Sequence, residues 1–234
     1  MQPLAMESIV RILRRGLWFS SQPANLQRLL VERGEVVSLA KDSWLFGESE
    51  EVSGLSAVLH GSIRGYAPLA NGETVLVEVA GPGMWFGQIG LLRRAKRLLT
   101  ATAATESQLL VIPRRELQRL AKEHPALWES FAELSLHQLQ WVMTSLVEVL
   151  ALPPRARLAA RLAALVSRST RRDSAAAELR LTQADLAEMI GLERKAVHRI
   201  LKAFERERLV AVDYGAVRIL DRRGLERIRD AGEA

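Results

Sequence analysis

The stretch from Leu181 to Leu220 reads LTQADLAEMIGLERKAVHRILKAFERERLVAVDYGAVRIL and decides how the chain is interpreted. Thr182 is a good helix N-cap, and Asp185 three residues later gives a variant of the capping box. Apolar residues follow at helical spacing until Gly191, which tolerates the backbone angles of a tight turn. A second helix is predicted from about Glu193 to Arg206, so the pattern is helix, turn, helix.

The second of these helices has two distinct faces. One face is apolar and contains Val197, Ile200, Leu201 and Phe204, whereas the other is polar and contains Arg194, Lys195, His198, Arg199 and Lys202. A helix with this profile docks through its apolar side and presents a cationic ridge, which suits the major groove of DNA. Residues 209–212 and 216–220 are β-prone and flank Asp213-Tyr214-Gly215, which predicts a hairpin wing.

The uneven distribution of charged residues along the chain favours a nucleic-acid partner. The formal net charge is +6 over 234 residues. Residues 153–234 carry 18 Lys and Arg against 12 Asp and Glu, whereas residues 1–152 carry 15 of each. The surplus therefore lies in the last third, as in a polyanion-binding module attached to a neutral remainder.

Composition excludes several other classes of protein. The chain has no cysteine, which excludes disulfides, thiolate catalysis and cysteine-ligated metals. Its four histidines make no metal-ligand pair, so no metal or cofactor is predicted. No apolar run approaches the ~20 residues of a membrane span, and the N-terminus does not have the pattern of a signal peptide. We expect a cytoplasmic protein with no membrane contact.

The front half of the chain predicts a β-roll followed by a long helix. Residues 6–33 have helical spacing, and short β-prone pieces then alternate with turn signals such as Asn71-Gly72, a strong hairpin signal. A helix is predicted from about Glu123 to Leu150. It contains a coiled-coil seam, called the seam below, formed by Ala132, Leu136, Leu139, Met143, Leu146 and Leu150. The seam predicts a homodimer, and the alternative is a helix buried within one monomer.

Three domains follow from these patterns, and the fold class is α+β. An antiparallel β-roll is predicted for residues 1–122. The dimerisation helix occupies residues 123–152. Pro153-Pro154 ends it, since proline cannot continue a helical hydrogen-bond ladder, and marks a boundary and hinge. The winged helix-turn-helix occupies residues 153–234.

This arrangement resembles the Crp/Fnr family of transcription regulators over nearly the full chain. Residues 181–209 resemble the family's helix-turn-helix almost residue for residue, and GPGMWFGQIGLL at residues 81–92, called the cassette below, resembles its phosphate-binding cassette. The resemblance implies that residues 1–122 form a cyclic-nucleotide-binding-like jelly roll with a sensor role. It also implies a dimer on pseudo-palindromic double-stranded DNA, with RNA polymerase as a further partner. The predicted DNA-binding set is Thr182, Gln183, Arg194, Lys195, His198, Arg199 and Lys202, with base-reading roles implied for Arg194, Lys195 and Arg199. Lys195 stands where the family usually has glutamate, so a different operator is expected.

The ligand-contacting positions depart further from the family. The candidate effector pocket that the resemblance implies is Gly87, Gln88, Arg97, Leu98, Val142 and Met143. The family's cyclic-nucleotide binders have glutamate at Gln88, serine at Leu98 and, in the cyclic AMP responder, a Thr-Ser pair at Val142-Met143, and only Arg97 matches. Apolar Leu98 cannot donate to a phosphate, and a missing partner leaves polar ligand groups unpaired. We therefore expect an effector other than cyclic AMP, or none.

Other interpretations stay open at this point. The chain could be a cyclic-nucleotide-responsive regulator with a divergent pocket, and the basic loop of Arg93, Arg94, Lys96 and Arg97 could hold an anion or be merely solvated. A cupin-like enzyme would need histidines beside carboxylates, but the strands offer Glu73 and Glu78 without a histidine. An adaptor that does not bind DNA would leave the cationic helix and wing unexplained.

Overall fold

The computed structural model describes residues 4–48, 50, 54–93, 96–169 and 177–232. The chain forms two compact units, Met1–Leu139 and Gln140–Ala234. Arg94 of the predicted basic loop, and most of the polar connection predicted at 169–178, lie outside the described residues. Lys96 is exposed as expected, but Arg97 is buried and not part of a solvated loop. Among the residues that are described, no helix is long and apolar enough to cross a membrane.

The N-terminal segment predicted to be helical is divided into three helices, α1 (Met6–Leu13), α2 (Leu17–Ser21) and α3 (Ala24–Glu32). The break after α1 includes Gly16, where an added Cβ would collide with the carbonyl oxygen of Gly83. Only glycine permits this approach of two backbones, which holds the N-terminal helices against the start of the cassette.

Among the described residues, eight strands of the first unit form the predicted β-roll. They are β1 (Glu35–Leu39), β2 (Trp44–Phe46), β3 (Gly54–His60), β4 (Ile63–Pro68), β5 (Thr74–Ala80), β6 (Trp85–Phe86), β7 (Thr100–Ala103) and β8 (Ser107–Pro113). They pair antiparallel in two sheets, ordered β1-β8-β3-β6 and β2-β7-β4-β5. The β4–β5 pairing brings Pro68 opposite Thr74 and confirms the hairpin predicted at Asn71-Gly72, with Gly72 at φ 85°.

The strand β3 shows why the roll has two cores. Val58 packs with Leu109 of β8 and with residues of the second sheet, such as Ile63. Leu55 and Leu59 of the same strand point to the opposite face of the sheet, where they pack under the N-terminal helices. Alternate side chains of one strand thus serve two apolar layers. The helices α4 (Gln88–Arg93), α5 (Arg114–Glu123) and α6 (Leu127–Ala151) follow, and α6 is the long helix that the sequence predicts.

The second unit contains the predicted winged helix-turn-helix. Its elements after α6 are α7 (Pro154–Ser169), β9 (Ala177–Leu179), α8 (Gln183–Ile190), α9 (Arg194–Arg206), β10 (Val210–Asp213), β11 (Ala216–Ile219) and α10 (Arg222–Ala231). The wing is a sheet of order β10-β11-β9, in which Leu179 pairs with Val217. The strand β9 was not predicted, because three residues are too short to show an alternating pattern.

The C-terminal end of α6 packs with α7 around a buried ion pair. Arg161, 2% exposed, donates to Ser145 Oγ at 2.8 Å and lies 3.5 Å from the Glu148 carboxylate. Arg161 and Arg168 also stack on the Trp141 ring. Burial raises the pKa of Glu148, and the charge of Arg161 opposes that rise. These contacts explain why the division between units falls inside α6 and not at the two prolines.

Candidate nucleic-acid interface

The start and the end of α8 are fixed by local hydrogen bonds. Thr182 Oγ1 accepts from the Asp185 backbone N–H at 3.1 Å, and the Asp185 carboxylate accepts from the Thr182 N–H at 2.7 Å, which completes the predicted capping box. Gly191 ends the helix at φ 64°, and the Leu192 N–H donates to the Ala187 carbonyl at 2.9 Å. This is a Schellman ending, and it sets the turn into α9.

The helix α9, called the recognition helix below, has the two faces that the sequence predicts. Val197, Leu201 and Phe204 are at most 1% exposed. The opposite face is exposed and carries Arg194, Lys195, His198, Arg199 and Lys202. Within the part of the chain that the structure describes, Arg194, Lys195 and Arg199 make no hydrogen bond or ion pair. Three guanidinium and ammonium groups on one ridge are thus available to a partner outside the chain.

The wing is tied to the recognition helix through Glu205. Its carboxylate accepts from Lys202 Nζ at 2.7 Å and from the Val212 N–H of β10 at 3.0 Å. The hydrogen bond from Lys202 lowers the pKa of Glu205, and the bond from Val212 lowers it further. Lys202 is therefore partly engaged within the protein. Tyr214, at the tip of the hairpin, is fully exposed.

The two helices of the motif are joined at the surface by a side-chain contact that the sequence did not reveal. Gln183, the first residue of α8, is half-buried, and its Oε1 lies 3.1 Å from Nδ1 of His198. Thr182 is half-buried and serves as the cap. The predicted DNA-binding residues therefore all lie on α8 and α9 or at the start of α8. Gln183 and His198 are 15 residues apart, and no local sequence pattern predicts a contact at that separation.

In the first unit, the predicted pocket residues Gly87, Gln88 and Arg97 lie close together. Gln88 is fully buried, and its Nε2 donates to Gln138 Oε1 at 2.7 Å. Gln138 in turn donates to the Trp85 carbonyl at 2.9 Å. An added Cβ at Gly87 would lie 3.4 Å from Arg97 Nη1.

The remaining pocket residues are placed differently. Arg97 is 7% exposed, its guanidinium lies 3.6 Å from the centroid of the Phe46 ring, and burial lowers its pKa to about 10. Leu98 is 63% exposed and so points away from buried surroundings. Val142 and Met143 are exposed residues of α6 in the second unit, at 56% and 52%.

Two protein-family models match the chain in the regions just described. The cyclic nucleotide-binding domain matches residues 36–124, and the Crp-like helix-turn-helix domain matches residues 156–228. The chain belongs to the Crp/Fnr family. Members of this family are transcription regulators with a helix-turn-helix DNA-binding domain, so the chain is a regulator of this type and not an enzyme, and the resemblance noted in the sequence is confirmed.

Similar proteins span most of this Crp/Fnr chain. The HTH-type transcriptional regulator Cmr of Mycobacterium tuberculosis is 29% identical over 84% of the chain and 77% of its own length. The CRP-like cAMP-activated global transcriptional regulator of the same species is 22% identical over 92% of the chain and 97% of its own length. The structure of FixK2 from Bradyrhizobium japonicum aligns with TM-score 0.73 at 19% identity, over 83% of the chain and 96% of that protein. It supports the fold alone.

Proposed function

We propose that the chain regulates transcription as a homodimer that reads a pseudo-palindromic operator with one recognition helix in each half-site. The observation that carries this proposal is the exposed cationic face of the recognition helix, opposite a face on which Val197, Leu201 and Phe204 are buried and Ile200 is half-buried. Arg194 and Arg199 are the base readers, because a guanidinium makes a two-pronged bond to guanine O6 and N7. Lys195 and Lys202 contribute contacts to base edges or phosphates, and Thr182 and Gln183 contact the backbone at the start of α8.

The proposed dimer forms through the seam on α6. Its residues Leu136, Leu139, Met143, Leu146 and Leu150 are between 49% and 75% exposed in the single chain. A row of large apolar side chains at heptad spacing is costly to leave in water, and a second copy of the same helix is the partner that fits such a row. Two-fold symmetry then spaces the recognition helices about 34 Å apart, one turn of DNA.

We further propose that cyclic AMP is not the effector, and that another small molecule, or none, controls the regulator. Gln88 stands at the position of the family's ribose-binding glutamate, and its amide is already hydrogen-bonded to Gln138. The exposed and apolar Leu98 offers no donor to a phosphate. Residues 1–122 remain our candidate for a sensor domain, residues 123–152 for the dimerisation helix, and residues 153–234 for the DNA-binding domain. Regulation would act through RNA polymerase at the bound promoter.

Selection of bound duplexes from a random DNA pool tests this function. We expect a two-fold symmetric site whose affinity falls steeply with added salt, because phosphate contacts release counterions. Millimolar cyclic AMP should leave that affinity unchanged. Recovery of no enriched sequence would contradict the proposal, and a large gain in affinity with cyclic AMP would contradict its effector part.

A further inference from the structure

We propose that His198 is a specificity-determining residue that recognises an amino group on a base edge, adenine N6 or cytosine N4, because Gln183 fixes which ring nitrogen carries the hydrogen. This inference rests on the proposed function and specifies which bases the protein prefers at one position of each operator half-site. It starts from the contact between Gln183 Oε1 and His198 Nδ1 at 3.1 Å.

The position of Gln183 is set by the fold. It is the first residue of α8, directly after Thr182, and the capping box fixes the backbone there. The Gln183 side chain is half-buried, whereas His198 is exposed on the cationic face of the recognition helix. The capped backbone fixes the point from which the Gln183 side chain reaches the imidazole, and the contact itself is exposed to solvent.

The chemistry of the contact decides what the other nitrogen can do. The amide oxygen of Gln183 only accepts, so Nδ1 of His198 must donate and carry the hydrogen. In a neutral imidazole the second nitrogen, Nε2, then has a lone pair and accepts. In the major groove the base-edge donors are the amino groups of adenine and cytosine, whereas guanine and the thymine carbonyl present acceptors. His198 thus complements Arg194 and Arg199, which only donate.

The neighbours of His198 on the helix support a role at the groove. Arg194 lies one turn before it and Lys202 one turn after it, so all three occupy the same face. Arg199 is adjacent in sequence and also exposed. A helix that enters the groove through Arg194 therefore brings His198 to the same row of base pairs.

The test is selection of bound DNA at about pH 8 with the wild type and two variants, His198→Ala and Gln183→Leu. In the wild type, one symmetric pair of positions should prefer adenine or cytosine by roughly 5–10-fold, the range of a single base-edge hydrogen bond. His198→Ala should abolish the preference at that pair and leave the other positions unchanged. Gln183→Leu, which removes the acceptor facing Nδ1, should admit guanine or thymine there.

The outcomes separate this inference from the proposed function. If an operator is selected but His198→Ala alters no position, or if the position that it alters prefers guanine or thymine in the wild type, the inference is wrong and the function stands. If His198→Ala weakens all positions equally, the contact with Gln183 is only structural. If no protein selects any sequence, the proposed function itself fails. Unchanged thermal unfolding of each variant confirms that the fold is intact.

Discussion

Gln88 in the cassette and Arg194 in the recognition helix are both polar, but the protein gives them opposite surroundings. Gln88 is fully buried and hydrogen-bonded to Gln138. Arg194 is exposed and makes no hydrogen bond or ion pair with the described residues. Side chains of the first kind are committed to the fold, and those of the second kind are available to a partner. Substitution of a buried, hydrogen-bonded residue such as Gln88 should therefore change the stability of the fold. Substitution of an exposed residue such as Arg194 should instead change the affinity for the operator.

The largest effect is expected at the exposed seam. Leu146→Asp places a charge in the proposed dimer interface, where it would lose its hydration without a partner. We expect a monomer at micromolar concentration by sedimentation, and a loss of operator affinity of at least about 1000-fold, because one half-site alone gives little specific binding. Thr144→Asp adds the same charge at an exposed position outside the seam and should leave the dimer intact. A dimeric Leu146→Asp protein would rule out this interface.

A large loss of stability is expected at the buried ion pair of the second unit. Arg161→Met leaves the Glu148 carboxylate buried without its counterion, which costs about 3–5 kcal/mol of unfolding free energy. Urea unfolding measures this loss, and the double variant Arg161→Met with Glu148→Leu should recover most of it.

The pH dependence of this variant has a definite sign. Burial already raises the pKa of Glu148, and removal of Arg161 raises it further. A carboxyl with a raised pKa in the folded state is penalised only when charged, so the destabilisation should be small below about pH 4.5 and grow as pH rises above it. A loss that does not vary with pH would mean that the ion pair is not its cause.

In the cassette, Gln88→Leu should lower stability without altering recognition. It removes the hydrogen bond from Nε2 to Gln138 Oε1 and should cost about 0.5–1.5 kcal/mol, the net contribution of one such bond. Operator affinity of the folded protein should change by less than about threefold, since no group of the recognition helix is touched. Gln140→Leu makes the same chemical change at an exposed position of α6 and should be nearly neutral. A large change in operator affinity for Gln88→Leu would contradict the claim that Gln88 stabilises the fold and takes no part in DNA recognition.

An effect of similar size is expected where the recognition helix meets the wing. Glu205→Gln weakens the bonds from Lys202 and Val212 and should cost about 0.5–1.5 kcal/mol. Because the pKa of Glu205 is lowered from 4.5 in the folded state, its contribution is fully present above that value and is lost as pH falls below it. The difference between wild type and variant should therefore disappear in acid. A difference that persists there would contradict this role for the carboxylate.

Local patterns allowed much of this structure to be predicted. The capping box at Thr182, the turn at Gly191 and the two faces of the recognition helix each depend on residues within a few positions of one another. The strands β2 and β9 were missed because three residues show too little alternation. The contact of Gln88 with Gln138 joins residues 50 positions apart, and that of Gly16 with Gly83 joins two loops. Such contacts depend on how the elements pack, which one sequence does not reveal.

The most direct test is the ratio of affinities for the selected operator and for scrambled DNA of the same length, measured with the wild type and with the Arg194→Ala, Arg199→Ala double variant. The wild-type ratio should reach about 1000 or more at physiological salt. The double variant should keep weak binding to both duplexes while its ratio falls by at least about 30-fold, since each arginine contributes about 1–3 kcal/mol of discrimination. The substitution Arg28→Ala, at an exposed arginine of the first unit, controls for lost charge. An unchanged ratio in the double variant would show that this face of the recognition helix does not read the operator.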